Sequence, residues 1–371
     1  MFEIKEIKTN SDIKEFVKLP FEIYKGNSYW IPPLISDEIK QLKPETNPFF
    51  EYCDAKFWTA WKEGKCVGRI GALINHEYNK EKGIKAGRIT RVEFFDDHNV
   101  SEALFKEAEG WIKEQGMNRV HGPLGFSNLD LQGLLIDGFN FIPSIASVYH
   151  LPYYREHFER LGYEKENDWV EFRLTLGEAA TKKGIRGAAI VKKRYGFEVK
   201  SFETTKELRQ FTYPIFKILN EAFHELPYVT PLNDKMIEAV GEKYIKVLNP
   251  KFIRLVLKEG KLVAFIIGLP SLSGAMKKAN GKLFPFGFLH ILKAMKNPEV
   301  IDLLLTGVSP EYHTSGAAVI LFAELQQTMM EMGINQMETT GIFETNHSVI
   351  SNWKNYEHIQ HKRRRCFYKN L

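Results

Sequence analysis

Apolar residues along this chain fall into short β-rich runs that come in pairs. Phe57 to Trp61 and Cys66 to Ile74 flank Lys62-Glu63-Gly64-Lys65, and Phe252 to Leu257 and Leu262 to Leu269 flank Lys258-Glu259-Gly260-Lys261. A Glu-Gly pair between two such runs predicts a β-hairpin, because the tight turn needs a positive φ that glycine adopts without penalty. Two longer segments carry apolar positions at helical spacing. Leu104-Phe105 through Gly116-Met117-Asn118 and Leu321-Phe322 through Gly333-Ile334-Asn335 each end on a glycine suited to a helix C-cap and then enter a strand.

The elements repeat. Phe2-Glu3-Ile4-Lys5, Thr9, Phe16 and Phe21 recur as Phe197-Glu198-Val199-Lys200, Thr204, Phe211 and Phe216, an offset of 195 from Phe2 to Phe197. The hairpins are offset by 196, from Gly64 to Gly260, and the helices by 217, from Gly116 to Gly333. The second half therefore carries 21 extra residues, 217 less 196, between hairpin and helix; the insert is expected to include part of Pro270 to Lys296, the stretch containing GKLFPFG. Each half reads strand, helix, antiparallel hairpin, strand, helix, strand, helix, strand. That order predicts an α/β (α+β) fold with a mixed, mostly antiparallel sheet flanked by helices, and excludes a doubly wound parallel sheet. The expected division is 1–176 and 177–371, with a linker near Gly177 to Gly187, where GEAATKKGIRG lacks apolar periodicity.

Composition narrows the functional class. With 44% hydrophobic and 26% charged residues over 371 positions, the chain is ordinary globular material and long enough for two cores. The charged start MFEIKEIKTN and the short apolar runs predict no signal peptide and no membrane span. Cys53, Cys66 and Cys366 are widely spaced and form no metal or redox pair, which suits a cytoplasmic protein. A net charge of +5, from 51 basic and 46 acidic residues, does not call for nucleic acid but suits a polyanionic ligand or an acidic carrier protein.

The segment most suggestive of chemistry runs from Ile301 to Ile320, an apolar strand ending in Gly307-Val308-Ser309-Pro310-Glu311-Tyr312 and leading into a helix through His313-Thr314-Ser315-Gly316-Ala317-Ala318. Free amides and the positive dipole end at a helix N-terminus bind anions, and small residues let phosphate oxygens approach. His313-x-x-Gly316-x-Ala318 resembles the Arg/Gln-x-x-Gly-x-Gly/Ala motif with which the GNAT superfamily holds the pyrophosphate of acyl-CoA, with His313 departing at the first position. Tyr154 to Tyr163 is similar to that family's closing helix and strand entry, and WIPPL, NPFF, GKLFPFG and GVSPEY resemble segments of an uncharacterised group of bacterial double-GNAT proteins.

The resemblance implies two tandem GNAT-like domains, the first degenerate, and an acyltransferase moving an acetyl or other acyl group from acyl-CoA to a small-molecule or peptide amine. Leu305, Thr306, Gly307 and Val308 are expected beside the pantetheine, with the Val308 amide on the thioester carbonyl. His313, Thr314, Ser315, Gly316, Ala317 and Ala318 are expected at the pyrophosphate, and Asn346 is the Asn that follows the fifth strand. Glu338 and Glu344 are the candidate bases. The family's acid, a Tyr seven residues after that Asn, is here Trp353, which leaves Tyr356 as substitute. Two readings compete: an aminoacyl-tRNA-dependent transferase resembling the Fem type, and a non-catalytic acyl-CoA or metabolite sensor. An acyl carrier protein is a possible donor partner.

Other features read plainly. His290 and His313 have no third ligand at a supportive spacing, so no metal is expected. Lys362-Arg363-Arg364-Arg365 is read as a strand whose charges point to solvent. Tyr29-Trp30-Ile31-Pro32-Pro33 and Asn47-Pro48-Phe49-Phe50 suit either an acceptor-side wall or packing on the sheet, and Gly122 to Gly138 is long enough to reach over a neighbouring site. At the positions of His313 to Gly316 the first half offers Asp96-Asp97-His98-Asn99, whose carboxylates cap a helix and repel phosphate, so one coenzyme per chain is expected.

Overall fold

A computed structural model describes residues 2–245 and 247–371. The first half forms β1 (Phe2–Glu6), α1 (Asn10–Ile23), α2 (Ile35–Gln41), the hairpin β2 (Cys53–Lys62) and β3 (Lys65–Asn75), α3 (His76–Lys82) and β4 (Ala86–Phe94). It continues through α4 (His98–Glu114), β5 (Arg119–Gly122), β6 (Leu134–Asp137), α5 (Tyr153–Arg160) and β7 (Glu164–Thr175). The second half opens with α6 (Glu178–Tyr195), β8 (Phe197–Lys200), α7 (Thr205–Arg209), α8 (Thr212–Phe223) and α9 (Asp234–Ile245). The hairpin β9 (Ile253–Lys258) and β10 (Lys261–Pro270) follows, then α10 (Ser273–Ala279), α11 (Gly287–Lys296) and β11 (Val300–Val308). The chain ends with α12 (Ala317–Glu331), β12 (Gln336–Thr339), β13 (Ile342–Phe343), α13 (His347–Ile350) and β14 (Glu357–Asn370). Both hairpins turn as the Glu-Gly pairs require: Glu63 and Gly64 sit at φ 52° and 77°, Glu259 and Gly260 at 52° and 75°.

These elements make two compact units. The first comprises Met1–Val170, Ser273–Ile291 and His361–Leu371, the second Glu171–Leu272 and Leu292–Gln360. In the first unit β1, β2, β3 and β4 pair antiparallel in order, and β4 then runs parallel to β5 from Ala86↔Arg119 to Arg88↔His121. The last residues of the chain complete this sheet, with Phe367↔Gly122 and Asn370↔Arg119. Helix α4 lies on one face, where Gly68 leaves room for Val100 and Leu104; a Cβ at Gly68 would come within 2.8 Å of both. The next residue, Arg69, points the opposite way and donates to the Phe16 carbonyl of α1 at 2.9 Å. Phe94, Leu104, Phe105, Ile112, Tyr154, Phe158 and Phe367 form the core beneath α4.

The second unit repeats the plan. Strands β8, β9, β10 and β11 pair antiparallel, β11 runs parallel to β12 from Val300↔Gln336 to Leu303↔Thr339, and residues 173–175 of β7 pair with β12. Helix α12 packs on β9, β10 and β11, burying Ile320, Leu321, Leu325 and Met329. Each unit is thus completed by a strand drawn from the other half of the sequence, so units and sequence halves do not coincide.

Several expectations change. Residues 177–187, expected as a linker, open the 18-residue helix α6, which the Glu178–Lys182 ion pair supports at (i, i+4) and left-handed Gly196 ends at φ 63°. The extra residues form α10 and α11, and the compact first unit takes in those up to Ile291. The basic run near the C-terminus is not a solvated strand. Lys362 and Arg364 are 1% and 4% exposed, while Arg363 and Arg365 both donate to the buried carboxylate of Asp168, at 2.9 and 2.8 Å. The Gly122 to Gly138 segment folds inward, with Asp130 accepting from the amides of Phe126 and Ser127 and β6 pairing with β14.

Candidate functional site

In the second unit a sheet opens at the end of a parallel pair. The β11–β12 ladder stops at Leu303↔Thr339, and β11 continues for five residues, of which Leu304, Leu305, Thr306 and Val308 are half-buried. Opposite Ile267 and Gly268 of β10 the register shifts, and Leu304 is the extra, unmatched residue of a bulge in β11. Beyond it the pairing alternates. Since the Ser309 amide donates to the Val263 carbonyl at 2.8 Å, the amides of Gly307 and Leu305 also face β10, and those of Val308 and Thr306 face the opening. Gly307 lies under Phe265, whose ring a Cβ would meet at 2.5 Å.

Residues 309–316 then lead into α12. Tyr312 ends a short 3-10 turn, and Ser315 secures the loop by donating from Oγ to the Tyr312 carbonyl at 2.6 Å and accepting from the Ala317 amide at 3.2 Å. Gly316 occupies the N-cap position at φ 84°, the left-handed region, with no side-chain cap. A Cβ there would also meet Val191 of α6 at 3.1 Å. Among the described residues the amides of Thr314, Gly316 and Ala318 have no protein acceptor, at the positive end of a 15-residue helix. Three small residues, an open amide set and a helix dipole fit a phosphate. His313 is exposed, and its Nε2 donates to the Val308 carbonyl at 2.9 Å, which ties the loop to the end of β11.

The remaining expected residues are engaged within the fold. Glu338 on β12 is 6% exposed, and its Oε1 accepts from Arg173 Nε at 2.8 Å and Nη2 at 2.5 Å. Asn346 caps α13, its Oδ1 accepting from the Val349 amide at 3.3 Å. Glu344 is half-buried in the turn before α13. Tyr356 exchanges hydrogen bonds with Gln326 of α12 at 2.9 and 3.3 Å, and Trp353, in the family's tyrosine position, is core, packed edge-on against Phe322 at 5.6 Å. Glu338 and Tyr356 are therefore held by protein partners, Arg173 and Gln326.

The first unit holds a cluster that the letters did not reveal. Glu93 on β4 is 8% exposed and accepts from Tyr24 Oη at 2.7 Å and Tyr154 Oη at 2.6 Å. Burial pushes its carboxyl up from the ordinary value, against the pull of Arg69 and the two phenols. Burial, with the Glu93 charge added, also drives the Tyr24 and Tyr154 phenols well above their ordinary value. Trp30 stacks on Tyr24 at 5.0 Å and meets Phe21 edge-on at 5.1 Å, and Tyr29 stacks on Tyr149 at 6.3 Å. Half-buried Tyr29 and Trp30 thus form an aromatic wall over this cluster, held by Asn27 Oδ1, which accepts both of their amides. Nothing in the local sequence joins these residues, because the partners of Glu93 lie 69 and 61 positions away.

The first unit's counterpart of the α12 entry is closed. Only residues 95–97 separate β4 from α4, and the Asp97 carboxylate accepts from the Asn99 amide at 3.0 Å and pairs with Lys62 at 3.1 Å. Asp96 instead faces His157 Nε2 at 2.9 Å.

No family model matches the chain. Over 377 residues it is 28% identical to Protein YghO of Escherichia coli (strain K12), covering 99% of this chain and 95% of that protein. It is 24% identical over 383 residues to Bacterial ceramide synthase of Caulobacter vibrioides (strain NA1000 / CB15N), with 98% and 96% covered. Among solved structures it is similar to a tandem GNAT protein from the clavulanic acid biosynthesis pathway, at a TM-score of 0.57 and 12% identity, covering 100% of this chain and 98% of that one. Opening parallel strands in both units, repeated element order and full-length structural likeness agree: the chain has the tandem GNAT fold.

Proposed function

We propose that this protein is an acyl-CoA-dependent N-acyltransferase whose second unit holds the coenzyme. The observation that carries the reading is the α12 entry, where left-handed Gly316 and the partnerless amides of Thr314, Gly316 and Ala318 offer a pyrophosphate seat at the end of β11. Pantetheine would follow β11 along Leu305 to Val308, and the Val308 amide, turned toward the opening, would polarise the thioester carbonyl. His313 would set the loop rather than contact phosphate. In the reaction the acceptor nitrogen attacks the carbonyl carbon, the C–N bond forms, the C–S bond breaks, and the amine proton leaves as the thiolate takes one up. Glu344 and Tyr356 are the groups we assign to that proton traffic. Glu338 acts through its hold on Arg173 and Asn346 through its cap on α13.

The relative named as a ceramide synthase favours one acceptor class. Ceramide is an amide of a long-chain amino alcohol, so the same chemistry here points to a lipid amine rather than a peptide. Isothermal titration with acetyl-CoA and a long-chain acyl-CoA, followed by a thiol-release assay with a long-chain amino alcohol or a peptide amine, tests both parts. Coenzyme binding with thiol release on the lipid amine is expected. Absence of binding for every acyl length removes the proposal, and release with the peptide alone removes the lipid assignment.

A further inference from the structure

The inserted segment ends in an apolar tip set in positive charge. Phe284 and Phe286 are 75% and 68% exposed on either side of Pro285, and Leu289 and Leu292 are 50% and 59% exposed on α11. Leu289, Leu292, Lys293 and Lys296 stand at i, i+3, i+4 and i+7, one face of the helix. Residues 271–298 contain five lysines and no aspartate or glutamate. Lys278, Lys282, Lys293 and Lys296 are exposed.

The tip is mounted firmly on the first unit. The Ile35 amide donates to the Gly281 carbonyl at 3.0 Å, and Gly281 fits beneath Phe21, whose ring a Cβ would meet at 2.6 Å. Lys277 donates to the Ser28 carbonyl, and Ser273 Oγ donates to the Pro143 carbonyl at 2.7 Å. Phe21 and Ser28 belong to the stretch that carries Trp30 and its aromatic wall.

We propose that Gly281 to Lys296 is an interfacial anchor that seats the protein on an anionic phospholipid bilayer. Exposed aromatic side chains flanked by lysines match the acyl and headgroup layers of such a surface, with the rings entering ~5–10 Å and the ammonium groups at the phosphates. No helix among the described residues is long and apolar enough to cross a membrane, so the segment lies on the surface. An acidic protein would pair with the lysines alone, whereas exposed Phe284 and Phe286 call for an apolar layer beside the negative charge, which favours the bilayer. The anchor would hold the protein at the source of a lipid amine. This last point alone rests on the proposed function; membrane binding itself is measured without any acyl-CoA, so the two can fail separately.

The test is co-sedimentation of the full chain with vesicles of phosphatidylcholine alone or mixed with phosphatidylglycerol. Wild type is expected to pellet with the anionic vesicles and to be released by salt. The F284S/F286S variant should bind about tenfold or more weakly, since affinity follows the apolar area inserted. K282E/K293E/K296E should lose its preference for phosphatidylglycerol, and both variants should keep the wild-type circular dichroism and coenzyme affinity. Wild type left in the supernatant, F284S/F286S pelleting like wild type, or capture of an acidic carrier protein with no vesicle binding would each overturn the proposal.

Discussion

The two helices that follow an opening strand, α4 in the first unit and α12 in the second, begin in opposite ways. Helix α4 is reached in residues 95–97 and closed by the Asp97 carboxylate, which accepts the Asn99 amide; α12 is reached through residues 309–316 and opens on left-handed Gly316 with no side-chain cap. Both have the same dipole, so length and dipole do not separate them. The difference is occupancy by the chain itself: a carboxylate already sits where an anion would go in one unit, and glycine leaves that place clear in the other. The first unit offers instead what the second lacks among the described residues, a buried carboxyl held by two phenols, Glu93 with Tyr24 and Tyr154. The two repeats thus diverge at the same point of the fold: one leaves a helix N-terminus open, and the other caps it and buries a carboxyl among aromatic side chains.

The strongest way to break this contrast is to make α12 resemble α4. Ala318 is half-buried in the first turn, where an acidic residue favours the helix, so Ala318→Glu keeps the fold and fills the seat with charge. A carboxylate ~4 Å from a phosphate costs about 4 kcal/mol at an effective dielectric of about 20. Screening at this surface reduces that to an expected loss of about 100-fold in coenzyme affinity by calorimetry. Gly316→Glu is a poorer choice, because φ 84° and Val191 at 3.1 Å would disturb the fold at once.

A smaller effect is expected from Asp97→Ala. Loss of the cap should cost about 1 kcal/mol and lower the thermal midpoint by ~2 °C. Coenzyme affinity should stay at the wild-type value, and a fall would show that the first unit takes part in binding it. The smallest effect concerns Glu93. A carboxyl raised on folding contributes stability that is fully present below its unfolded value and is lost as pH rises through its folded value. Wild type should therefore lose stability relative to Glu93→Gln as pH climbs above the ordinary 4.5. Denaturant midpoints of the two proteins that stay parallel across that range would contradict the burial argument.

Much of this was legible because it is local. The Glu-Gly turns and the glycine-capped helices follow from a few neighbouring residues, and the repeat offsets located the insert that became α10 and α11. What escaped depends on distant partners. Helix α6 was hidden because it buries only Thr181 and Ala188 and so has no apolar stripe for periodicity to reveal. Arg363 and Arg365 looked solvated because Asp168 lies 195 and 197 positions away. The open entry to α12 was legible at the level of the loop, since Gly316 and its small neighbours leave its first amides uncapped. The surroundings of Glu338 and Tyr356 were not, because a Glu in a strand and a Tyr after a helix carry no sign of what they meet: Arg173 for Glu338 and Gln326 for Tyr356.

The central claim, that only the second unit keeps an anion seat, is tested most directly by the stoichiometry of acyl-CoA binding to the full chain in a calorimetric titration. The account predicts a single site per chain, lost in Ala318→Glu and untouched in Asp96→Ala with Asp97→Ala. Two sites per chain, or a single site that survives Ala318→Glu and disappears in the double alanine variant, would contradict it.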